Sequence, residues 1–86
     1  MARFYFDVHD GADLARDDEG SEFDSPGAAM RAATRSAAEV GTNQLVKGDP
    51  SNIVIVVEVR DEQNQRVCTV TASMKVDWHA GYEPAR

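Results

Sequence analysis

The sequence predicts an α+β domain of order β-β-α-β-β, an antiparallel sheet with one helix packed on one face. Three observations carry this reading. A run near the N-terminus alternates strictly between apolar and polar residues, an alanine-rich segment follows a helix start signal, and two β-rich runs flank the pentapeptide DEQNQ.

The first strand is RFYFDVH. Phe4, Phe6 and Val8 point one way and Tyr5, Asp7 and His9 the other, so the phenylalanine side faces the core. Asp10-Gly11 ends it with a turn. A second extended piece lies around Gly20–Phe23, with Phe23 as its apolar anchor. The helix starts after Ser25, a good N-cap, with Pro26 at the first helical position, where its missing N–H costs nothing. From Pro26 to about Leu45 the small residues Ala29, Ala33 and Ala37, then Val40, recur at helical spacing and form the inward stripe. The segment Lys47–Pro50 ends the helix.

The two remaining strands form a hairpin. With Gln63-Asn64 as a two-residue tip, Val59 opposes Cys68, Val57 opposes Val70, Ile55 opposes Ala72 and Ile53 opposes Met74. That face is apolar throughout. A three-residue loop with a bulge shifts the pairing by one and puts Ile55 opposite Thr71, which mixes the faces, so the first register is expected. The outer face then holds Val54, Val56, Glu58, Arg60, Val67, Thr69, Thr71, Ser73 and Lys75. Residues 1–78 are expected to form one domain and 79–86 a frayed tail.

Composition narrows the function classes. A chain of 86 residues with net charge −6 buries only roughly 60–65% of its unfolded surface, so its margin of stability is thin. The acidic balance disfavours nucleic-acid binding, which needs Lys and Arg against phosphates. No apolar run is long enough to span a bilayer, and the start MARFYFDVHDG does not have the form of a secretory signal. One cysteine, Cys68, excludes an internal disulfide, and a cytoplasmic location is expected.

The stretch DVHDGADLARDDEGSEFD, Asp7 to Asp24, holds more than half of the fifteen acidic residues. It does not fit a calcium loop. Starting at Asp13, the sixth position is Asp18 rather than Gly and the twelfth is Asp24 rather than Glu. A solvated connection that protects a sheet edge is the expectation. His9, His79 and Cys68 share no metal-ligand spacing, and Cys68 lies among valines, which suits a core thiol rather than a nucleophile. No phosphate loop or nucleophile elbow is present. Arg31 and Arg35 stand one helical turn apart, with Lys47 beyond, as ordinary surface charge. No catalytic residue, cofactor or metal ligand is therefore assigned.

The pieces R-F-Y-F-D-V-H-D-G, D-D-E-G-S-E-F and V-E-V-R-D-E resemble a large group of short alphaproteobacterial proteins, abundant in rhizobia and methylobacteria and grouped as a domain of unknown function. The likeness spans about residues 3 to 76. Relatives commonly have Gly where this chain has Asn64, and a larger residue where it has Ala37 and Ala38, which implies a thinner core here. The resemblance implies a compact bacterial domain and no activity, cofactor or catalytic residue.

The sequence thus points to a small non-enzymatic protein-interaction domain that binds itself, as a dimer, or another protein through the outer sheet face. Tyr5, Val54, Val56, Val67 and Thr69 are the candidate interface. The alternative is an acidic, antitoxin-like or nucleic-acid-mimicking inhibitor that offers Asp17, Asp18 and Glu19 to a basic partner. A site built across a dimer interface is a third option.

Overall fold

The computed structural model of the chain describes residues 1–11, 13–48 and 52–84. Its elements are β1 (Ala2–Asp10), β2 (Asp13–Ala15), β3 (Ser21–Phe23), α1 (Pro26–Lys47), β4 (Asn52–Arg60) and β5 (Arg66–Lys75). The antiparallel sheet has the order β2-β1-β4-β5, with β3 also paired to β1. One strand exceeds the expected pattern. Asp13–Ala15 lies in the acidic stretch, has no alternation of its own, and is a strand only because Val8–Asp10 offers it a partner.

β4 takes the centre beside β1 and β5 takes the edge. The run NIVIVVEVR suits that place. Ile53, Ile55, Val57 and Val59 are all buried, and together with Phe4 and the helix alanines they make the core. Ala29, Ala33 and Ala37 are the buried helix residues, and their small side chains let α1 lie close over β4 and β5. Ser25 caps the helix as expected, its hydroxyl accepting from the Ala28 N–H at 3.1 Å. Phe23 stacks on Phe6 at 5.6 Å between ring centroids and lies tilted against Phe4 at 6.2 Å. The expected helix end is borne out to within two residues, and Asp49 and Pro50 lie outside the described residues.

The hairpin keeps the expected face pairing, Val59 to Cys68 through Ile53 to Met74. Its tip differs. Arg60 pairs with Arg66, the Asp61 N–H donates to the Gln65 carbonyl, and the Asn64 N–H donates to the Asp61 carbonyl. This is a three-residue loop with Asn64 in the left-handed region at φ 65°. The register shift beside Val59 and Arg60 makes room for one extra residue, Val67, and restores the apolar pairing beyond it. The loop's demand and the core's demand are thus both met, which a uniform register could not do.

Candidate interaction surface

α1 covers one face of the sheet and leaves the other bare among the described residues. On the bare face, cross-strand neighbours fall into rows. Tyr5 lies opposite Arg60, Asp7 opposite Glu58 and then Thr69, and His9 opposite Val56 and then Thr71. The last row extends through β2, because His9 also pairs with Leu14. Leu14, 54% exposed, and Val54, 48% exposed, therefore lie on the same face as the half-buried Val56. The sequence offered no sign of Leu14, since it falls in a stretch without periodicity and reaches the face only through β2.

The other expected interface residues divide. Val67 is not an outer-face residue: the bulge turns it against the core cluster, where it is half-buried. Thr69 is exposed and its hydroxyl donates to Glu58 Oε2 at 2.9 Å. Tyr5 is half-buried beneath the Arg60 guanidinium, 4.8 Å from ring centroid to Cζ.

Beside Tyr5 stands a charged network that the sequence did not reveal. Arg60 Nε and one terminal nitrogen donate to the two oxygens of Asp7 at 2.8 and 3.3 Å, and the same terminal nitrogen donates to the Asp17 carbonyl at 2.9 Å. Asp7 also accepts from the Asp17 N–H at 3.0 Å. The Asp17 carboxylate accepts from the N–H groups of Phe6, Gly20 and Glu19 at 3.0, 2.9 and 3.2 Å. Phe6 lies between the parts of β1 that pair with β3 and β2, so Asp17 takes the place of a strand in that gap.

These contacts set the protonation of both acids. The Arg60 guanidinium bonded to Asp7 holds its carboxyl below the ordinary 3.8, against the opposing effect of burial. Burial pushes the Asp17 carboxyl upward, but the Gly20, Phe6 and Glu19 N–H donors together outweigh it and bring it below 3.8.

Of the expected acidic loop, Asp17 is thus held inside the fold, while Asp18 and Glu19 are exposed. Arg31, Arg35 and Lys47 are exposed on α1, and Cys68 is half-buried against the core. Among the described residues, no three His, Cys, Asp or Glu side chains converge as metal ligands, and no helix is long and apolar enough to cross a membrane.

Fold and surface together define a two-layer α+β domain with one sheet face left uncovered among the described residues. The chain belongs to the family described as a domain of unknown function, DUF6894, whose family model matches residues 3–73. No curated protein and no solved structure matches it.

Proposed function

We propose that the chain is a small non-enzymatic protein-interaction domain whose docking surface is the outer sheet face, with a second copy or another protein as the occupant. The observation that supports this is that Leu14, Val54 and Val56 lie on one sheet face, Leu14 and Val56 on either side of His9, and that no other element covers this face among the described residues. Expected interface positions Tyr5 and Thr69 belong to the polar surround, with Val67 withdrawn.

Magnitudes set the strength. Covering the exposed parts of three aliphatic side chains contributes roughly 1 kcal/mol each, less than the estimated 4–15 kcal/mol that association costs in lost freedom. The surrounding hydroxyls and charges must therefore take part, and the contact is a weak one. The rival reading, an acidic inhibitor, has less support because Asp17 is engaged within the fold and only Asp18 and Glu19 of that trio face solvent.

The test is the molar mass by light scattering over a wide dilution range, for the wild type and for Val56→Lys combined with Leu14→Lys. Both positions face solvent at least in part, so the variant is expected to fold, with an unchanged far-UV circular dichroism spectrum. The concentration-dependent rise in mass should shrink or vanish. An identical mass curve for the two proteins would sink the outer face as a self-association surface, and a wild type that stays monomeric would do the same.

A further inference from the structure

The two edges of the sheet are built differently. On the β1 side, β3, the Asp17 carboxylate and β2 follow one another and occupy the backbone groups. On the other side, no described residue pairs with the outer edge of β5 from Arg66 to Lys75. That strand contains no proline and no charge from Val67 to Met74, and its bulge at Val67 and its charges, Arg66 and Lys75, sit at its two ends, so the stretch from Cys68 to Met74 has none of the usual protections of an edge.

β5 also outruns its partner. Cys68, Val70, Ala72 and Met74 share the core side, and Thr69, Thr71, Ser73 and Lys75 the outer side. Pairing stops where Asn52 meets Lys75, yet the alternation continues: Val76 and Trp78 keep the apolar parity, Asp77 and His79 the polar one. Lys75 Nζ lies 3.4 Å from Asp77 Oδ1, as side chains two residues apart on one side of an extended chain do. The apolar side of this extension is uncovered, with Met74 42%, Val76 39% and Trp78 56% exposed. Beside Met74 opens an apolar groove of about 220 Å³ between α1 and β5, lined by Ala37, Gly41, Leu45, Ile53 and Ala72 among others.

We infer that a second copy of the chain covers this edge: two β5 strands and their extensions pair antiparallel about a two-fold axis at Val76, and each chain places Trp78 in the other's groove. The charges choose the register. With Val76 opposite its own copy, Lys75 faces the partner's Asp77 and Asp77 faces the partner's Lys75. One residue earlier puts Lys75 against the same lysine, and one residue later puts Asp77 against the same aspartate. Like charges directly opposite are destabilising, so both neighbouring registers lose. In the chosen register Met74 faces the partner's Trp78 on the core side, which brings the indole to the mouth of the groove and sets sulfur against an aromatic ring. Added backbone hydrogen bonds supply affinity, as in other strand additions, and the contact is self-complementary, as a two-fold interface must be. It also sets the two outer faces side by side, so it is compatible with the docking surface proposed above and does not rest on it.

Trp78 is the only tryptophan, so its fluorescence reports on this contact alone. The full chain is diluted while emission and light-scattering mass are followed. Emission should move from a buried to a water-exposed wavelength as the mass falls from dimer to monomer, with one midpoint. Lys75→Asp and Asp77→Lys should each weaken association about tenfold or more, since two attractive cross-strand pairs become repulsive. Mixing these two variants should restore both the mass and the buried emission, because the mixed pair again sets opposite charges face to face. A water-exposed emission independent of concentration overturns the inference. So does association indifferent to either reversal, or a mixture that stays monomeric. Val56→Lys should leave the Trp78 signal as in the wild type, so failure of the outer-face contact and failure of the edge contact read out separately.

Discussion

Asp17 is the residue through which the acidic stretch becomes structure. Its carboxylate accepts three backbone N–H groups, one from β1 and two from its own turn, and its N–H and carbonyl engage Asp7 and Arg60. In Asp17→Asn one carboxylate oxygen becomes an NH2 that faces a donor it cannot satisfy. Losing a partner for a part-buried N–H costs about 1–3 kcal/mol, and urea unfolding should show a loss of that size. Gly20 closes the same turn at φ +71°, where a Cβ would lie 2.9 Å from Arg3 Cγ and from Tyr5 Cε2 and 3.0 Å from the Phe4 carbonyl oxygen. Gly11, at φ +63°, has nothing within 4 Å of a Cβ. Gly11→Ala should therefore cost only the left-handed penalty of about 1–2 kcal/mol, while Gly20→Ala should cost clearly more. Equal losses in the two variants would show that the turn can relax around the added methyl. Neither role could be seen in the stretch DDEG itself, because the atoms that Asp17 and Gly20 meet come from β1, well back along the chain.

The elements were legible to different degrees, for reasons that concern who supplies their partners. β1, α1, β4 and β5 carry their own patterns: alternation for the strands, and a cap with an alanine stripe for the helix. β2 carries none and borrows its structure from β1. The hairpin lies between these cases. Its facing residues follow from the apolar pattern, but its tip follows from local turn geometry, and Val67 is the residue displaced to reconcile the two. That is why Val67 belongs with the core rather than with Val54 and Val56. In α1, Gly41 is a helix-interior glycine whose added Cβ would make an ordinary contact at 3.9 Å with Ile55 Cγ1. Gly41→Ala should raise stability by about 0.5–1 kcal/mol, read as a rise of several degrees in melting temperature. A lower melting temperature would mean that α1 sits too close to β4 there for even a methyl group.

At the scale of the whole molecule, the Asp7–Arg60–Asp17 network ties β1, β4 and the turn before β3 into one unit. Both carboxyls titrate below their ordinary 3.8 in the folded chain, so the unfolded chain binds protons first as pH falls. Their stabilising contribution is complete above about pH 5 and is lost as pH drops through 3.8 and then through the lower folded values. Denaturant unfolding from pH 7 to pH 2.5 should show stability falling on the acid side, with a shallower fall in Asp17→Asn. Parallel curves would show that the network does not govern acid stability. The sequence by itself determined the α+β class, the helix and its cap, the faces of the hairpin and the family likeness, because these depend on periodicity and on signals a few residues long. Tertiary structure alone decided the central place of β4, the strand at Asp13–Ala15, the position of Leu14 in one row with His9 and Val56, and the Asp17 plug in the β1 edge. Each of those is a meeting of residues far apart in the chain, and no local pattern records which backbone groups another segment will leave without a partner.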